Sequence, residues 1–236
     1  MDVVDLSPQL QMLRFPVGQA YLWRDSDSLT LIDTGVAGSG TSIEAAIRTL
    51  GLVPEDLDRV IITHFHDDHA GAAAEVGAWD KVTVMAHRLD APIIRGQVTG
   101  PPPNFTEEEA AWHAAIVGDG LPPTPAARVD VELDEADVVP FGGGAQVLSV
   151  PGHTDGSLAL FLPSNGVLFT GDTIASADDR VILGPFNLDR RQAMRSFRRL
   201  SELDSEMALF GHGDPVPARA ADALRGAATH LLDDLA

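Results

Sequence analysis

Along the chain, apolar positions fall into short blocks that switch between the two-residue period of strands and the three-to-four-residue period of helices. VGQAYLWR at 17–24 and LTLID at 29–33 predict paired strands joined by the polar turn Asp25-Ser26-Asp27-Ser28. Thr41-Ser42-Ile43-Glu44 offers capping chemistry ahead of a helical periodicity through Leu50, which Gly51 closes. The unbroken apolar run RVIIT at 59–63 predicts a buried strand, 70–76 a small-residue helix, and VTVMA at 82–86 another strand. Strands at 136–140, 145–150, 157–162 and 166–171, with turns at Gly142-Gly143-Gly144 and Ser164-Asn165-Gly166, predict a meander. Helices over 188–202 and 217–235 flank a strand at 206–210 and restore the alternation of strand and helix.

Residues 96–128 break this rhythm. GQVTGPPPNF and DGLPPTPAAR are proline-rich and flank a short helix that Thr106 and Glu109 can cap as a T-x-x-E box. The stretch reads as an active-site lid inserted into one domain spanning 1–236, with Phe105 and Trp112 available to shape a pocket.

Composition narrows the chemistry. Apolar residues make up 44% and charged residues 22% of the 236, which is ordinary for a globular chain. A net charge of −19 opposes polyanions, so nucleic acid is not expected as a partner and a small-molecule substrate is. The basic run Arg190, Arg191, Arg195, Arg198 and Arg199 reads as a solvated helix face. No apolar run reaches the ~18 residues of a membrane span, and the N-terminus MDVVDLSPQL carries acids where a signal peptide carries bases. Cytoplasmic location is therefore expected. With no cysteine, any metal must be held by imidazole and carboxylate.

That constraint meets the segment Thr63-His64-Phe65-His66-Asp67-Asp68-His69-Ala70-Gly71, which concentrates imidazoles and carboxylates directly after a buried strand. Side chains at i and i+2 of an extended stretch point the same way, so His64 and His66 can grip one ion while Asp68 and His69 reach a second. Pro151-Gly152-His153-Thr154, Thr170-Gly171-Asp172-Thr173 and Phe210-Gly211-His212-Gly213 each place one ligand-type side chain after a predicted strand. Asp33 in LIDTG is either the partner of a ligand imidazole or a turn cap. Asp67 is expected in solvent, His87, His113 and His230 are read as structural or surface residues, and Gly71, Gly152 and Gly171 as room for the backbone.

Taken in order from LIDTG at 31–35 to GHGDP at 211–215, these motifs resemble the metallo-β-lactamase superfamily over nearly the whole chain. The resemblance implies an α/β fold, a four-layer αββα sandwich of two mixed sheets flanked by helices. It implies that His64, His66 and His153 hold one metal, that Asp68, His69 and His212 hold another, and that Asp172 bridges them. Two divalent ions are expected, zinc foremost with iron or manganese as alternatives, activating a bridging hydroxide that Asp68 helps orient.

The superfamily hosts many reactions, so departures from its branches carry the choice of substrate. His66 stands where flavodiiron proteins have glutamate, Asp172 stands where β-lactamases proper lack aspartate, and only 24 residues follow His212, too few for the glutathione site of glyoxalase II. The chain is most similar to the lactonase-like group, although Ala175 stands where those lactonases have tyrosine. The expected activity is hydrolysis of a small ester, lactone or thioester. The alternatives are a persulfide dioxygenase-like oxidoreductase and, behind it, a phosphodiesterase or nuclease.

Overall fold

The computed structural model describes residues 1–118 and 120–230. The chain divides into two compact units, Met1–Gly100 with Asp119–Leu133, and Pro101–Gly118 with Asp134–Ala236. Each unit is built on its own mixed sheet.

In the first unit, β1 (Asp2–Ser7), β2 (Leu10–Arg14), β3 (Gln19–Arg24) and β4 (Leu29–Ile32) run antiparallel in chain order. From β4 the sheet continues in parallel through β5 (Leu57–Ile62), β6 (Thr83–His87) and β7 (Val131–Leu133). The change of sense follows from the connections. A few residues close each hairpin, whereas parallel neighbours need a crossover, supplied by α1 (Gly40–Thr49), then by α2 (Asp67–Ala70) and α3 (Ala73–Gly77). A one-turn helix, α4 (Ala91–Ile94), follows β6. Ile43, Ala46 and Ile47 recur at helical spacing, and they join Leu31, Val60, Ile62 and Val84 of the sheet in one core cluster.

The second unit begins with α5 (Glu107–Val117) and continues with β8 (Val138–Val139), β9 (Ala145–Ser149), β10 (Leu158–Leu162) and β11 (Val167–Phe169), an antiparallel run. The hairpin β12 (Ile174–Ala177) and β13 (Arg180–Leu183) forms a sheet of its own, and β14 (Met207–Leu209) pairs in parallel with β11. Two helices complete the unit, α6 (Arg190–Ser201) and α7 (Ala220–His230). Met194, Phe197 and Leu200 of α6 and Leu224 of α7 share a core with Phe161, Leu168 and Phe210.

Most expected elements are present, with instructive differences. The helix read from Thr41-Ser42 starts at Gly40, and its N-cap Ser39 makes no side-chain cap bond. Glu75 of α3 satisfies that end instead, accepting the Gly38 and Gly40 N–H groups at 2.6 and 3.1 Å. The T-x-x-E box on α5 is formed in full, Thr106 accepting from the Glu109 N–H and Glu109 from the Thr106 N–H. The arginines of α6 lie on its exposed face, as expected. The helix expected over 217–235 is described only to His230, and its last five residues, like Asp119 in the expected lid, lie outside the described residues. Strands β1, β2, β7, β12 and β13 were not foreseen. Among the described residues no helix is long and apolar enough to cross a membrane.

Candidate metal centre

Each unit gathers its own share of the expected ligands, and in both the chemistry sits just past strand ends. In the first unit, β5 delivers the chain to Thr63 and His64. The Asp33 carboxylate, 2% exposed, organises this turn. Its Oδ1 accepts the Thr63 N–H at 2.7 Å, and its Oδ2 accepts the Thr63 hydroxyl at 2.8 Å and the His69 Nδ1–H at 2.9 Å. Because the Thr63 hydroxyl donates to Asp33, its oxygen is left to accept from His64 Nδ1, 3.0 Å away. Both imidazoles therefore carry their proton on Nδ1 and direct Nε2 away from Thr63 and Asp33, the tautomer a metal ligand requires.

The rest of the motif follows from local geometry. His66 is extended (φ −63°, ψ 153°) and starts α2, so Asp68 and His69 fall on its first turn. His64 and His66 each offer a ligand atom within 4.8 Å of the other's, as do His64 and His69, and Asp68 and His69. The His64 ring lies 4.7 Å from that of His66 and 4.1 Å from that of His69. Asp68 Oδ2 stands 3.6 Å from His69 Nε2. Gly71 lets the turn close, since a Cβ there would lie 2.3 Å from the Asp67 carbonyl oxygen and 2.4 Å from the Ala37 nitrogen. The buried Asp90 carboxylate holds the Phe65 N–H at 3.0 Å, pinning the backbone between the first two histidines.

In the second unit, His153 follows β9, Asp172 occupies a single 3₁₀ turn after β11, and His212 follows β14. They converge on one carboxylate oxygen, with Asp172 Oδ2 3.6 Å from His153 Nε2 and 3.2 Å from His212 Nε2. His153 repeats the arrangement of the first unit, its Nδ1 donating to the Pro185 carbonyl at 3.1 Å. His153 and Asp172 are buried, whereas a third of the His212 side chain is exposed.

Residues 13–212 match the family description Metallo-beta-lactamase superfamily. The chain belongs to that superfamily. As a superfamily member it is a metal-dependent hydrolase. It is 29% identical over 212 residues to the probable metallo-hydrolase YflN of Bacillus subtilis (strain 168), covering 81% of this chain and 78% of that protein. It is 28% identical over 236 residues to an N-acyl homoserine lactonase of Bacillus thuringiensis, covering 86% of this chain and 83% of the other. A solved metallo-beta-lactamase family protein of Thermus thermophilus shares the fold with a TM-score of 0.70 at 24% identity, covering 96% of this chain and 79% of that one. The fold class expected from the sequence is that of the superfamily.

The donor set fits the metal that the superfamily implies. Three buried imidazoles have Nδ1 committed to protein oxygens, the remaining donors are imidazole and carboxylate, and there is no cysteine to offer a thiolate. Such a set suits zinc, iron or manganese. Asp33, read as either an imidazole partner or a turn cap, bonds the His69 ring and also accepts the Thr63 N–H and hydroxyl. Thr63, Asp90 and the Pro185 carbonyl were not singled out as supports. Thr63 stood inside the motif, but a backbone carbonyl leaves no mark in a sequence. His87 is buried with Nδ1 accepting the Leu89 N–H at 3.3 Å, and His113 packs against Phe105 and Phe186.

Proposed function

We propose that the protein hydrolyses a small ester, lactone or thioester at two divalent metal ions, zinc foremost, held by His64, His66, Asp68, His69, His153, Asp172 and His212. The observation that carries this reading is the clustering itself. Each unit separately draws its ligand-type residues within a few ångströms, on the residue types and in the order that the superfamily match spans. The similarity to an N-acyl homoserine lactonase over 86% of the chain supports a carbonyl substrate of modest size.

Two bound ions would supply a shared water of lowered pKa and polarise the scissile carbonyl. The chain's own residues do the rest. Thr63, Asp33 and Pro185 fix the proton of the three buried histidines on Nδ1 and hold each ring at one angle. Asp172 presents one oxygen between the His153 and His212 imidazoles and would hold metal there. Asp68 would accept a hydrogen bond from the water the ions activate and orient it. The residues 1–236 act as one functional domain, with 96–128 bordering the site. A charge of −19 keeps polyanionic substrates away, and the absence of cysteine suits the cytoplasm.

Elemental analysis of purified protein should give two ions per chain, and panels of simple esters, lactones and thioesters should be cleaved. Asp172→Ala should abolish turnover and lower the metal count. A wild type that cleaves no panel member in its zinc, manganese and iron forms, yet oxidises persulfides, would replace hydrolysis with oxidation as the activity.

A further inference from the structure

The hexad His64–His69 contains two side chains, Phe65 and Asp67, to which metal chemistry gives no part. Both are engaged by the limbs of the proline-rich stretch. The limbs leave and re-enter the first unit side by side, with the Ala127 N–H donating to the Ile94 carbonyl at 2.9 Å and the Arg95 guanidinium reaching the Val129 carbonyl at 2.7 Å. From that neck the outgoing limb brings Gly100 against the Phe65 ring, so closely that a Cβ would stand 2.4 Å from ring Cε2. Phe65 in turn meets the His66 imidazole edge to face at 4.8 Å. The returning limb brings Thr124 to Asp67, whose Oδ1 accepts the Thr124 N–H at 3.2 Å and the Thr124 hydroxyl at 2.5 Å.

The local sequence explains why this contact matters. In Pro122-Pro123-Thr124-Pro125 the prolines have fixed φ and no N–H, so the segment is stiff and Thr124 carries its only backbone donor. That donor and the neighbouring hydroxyl both go to Asp67. A stiff segment held at one point is positioned by that point, and Asp67 lies between two proposed ligands, His66 and Asp68.

We infer that Asp67 is a positioning residue, fixing Pro122–Pro125 beside the histidine motif as a rigid wall that limits the size of the acyl group next to the scissile carbonyl. The wall is apolar apart from Thr124, so the group it selects is a short apolar acyl chain. This rests on the hydrolase reading for its selectivity, though not for the anchoring itself.

The test uses the metal-loaded full chain with Asp67→Ala, Thr124→Ala and the double variant. Exchange of the Thr124 and Ala127 amides, read without substrate, should be faster in both single variants, and the double variant should exceed neither, since contacting residues are not additive. Metal content should stay at the wild-type value. The preference for p-nitrophenyl acetate over p-nitrophenyl octanoate should fall by about tenfold, the low end of discrimination by a shaped pocket, with the change in KM rather than kcat. Unchanged exchange, additive effects, or a loss of metal in Asp67→Ala would overturn the anchoring. Faster exchange with unchanged acetate preference would overturn the wall. Faster exchange in the variants of a protein whose wild type cleaves no ester, lactone or thioester overturns the hydrolase reading and the selectivity with it, and leaves the anchor in place.

Discussion

Replacing Asp33 by asparagine keeps the shape of the side chain and tolerates the left-handed backbone at this position (φ 61°), yet it removes one acceptor from a turn that uses both. The carboxylate accepts from three donors, the Thr63 N–H, the Thr63 hydroxyl and the His69 Nδ1–H. An amide can turn its oxygen to the first of these or to the other two, and its NH₂ then confronts whatever remains. If the NH₂ faces His69, the imidazole escapes the donor clash by moving its proton to Nε2, the atom that must be bare to bind metal. Loss of such an orienting partner costs about 10–100-fold in metal affinity, which is about 1.4–2.8 kcal/mol. Leaving a buried donor unpaired costs about 1–3 kcal/mol of fold stability as well. Chelator competition reads the first quantity, urea denaturation the second, and ¹⁵N NMR of the His69 ring the tautomer. An Asp33→Asn protein with wild-type metal affinity and an Nδ1-protonated His69 would refute the argument that Asp33 sets this ligand.

Other substitutions probe separate parts of the structure. Gly71→Ala places a methyl into backbone atoms 2.3–2.5 Å away that cannot swing aside, so a loss at or above the ~1–3 kcal/mol of ordinary overpacking is expected in urea melts. Thr106→Ala should remove the capping box and about 1 kcal/mol from α5, read as faster amide exchange of residues 107–110 with little change in the global midpoint. The Arg199 guanidinium, bonded to Glu135, holds that carboxyl below the ordinary glutamate range, against a smaller opposing effect of burial and with help from the Ser149 N–H. A depressed folded-state pKa stabilises the protein above the unfolded value and loses that effect as pH falls through the folded one. Glu135→Gln should therefore cost up to about 1 kcal/mol near neutrality, discounted for solvent exposure, and nothing once the wild-type carboxyl is protonated in acid. Equal destabilisation at both pH values would remove the charge from the explanation.

Where pattern and chemistry coincide, the sequence was readable. The run at 59–63 and the histidines after it announce a buried strand that ends on a cluster of candidate ligands, and Pro151-Gly152-His153 and Gly171-Asp172 repeat the signal. The unforeseen elements lack such agreement. β1 is a largely exposed edge strand, so its alternation is blurred by Asp2 and Asp5. The β12–β13 hairpin turns on Asp178 and Asp179, both left-handed (φ 49° and 58°), where glycine or asparagine would ordinarily announce the turn. The supports of the proposed ligands were harder still, because Asp90 acts through backbone 25 residues away and Pro185 through a carbonyl oxygen that every residue possesses.

The division of the chain into units is not a division into consecutive halves. Residues 101–118 belong with the second unit, while 119–133, including the strand that pairs with β6, return to the first. During synthesis the sheet bearing His64–His69 stays one strand short until Leu133 has emerged. By then the α5 segment of the other unit is already waiting for partners not yet made. A fragment ending at either Gly100 or Leu133 carries an orphaned piece or lacks one, so expressing either unit by itself requires splicing the chain rather than cutting it.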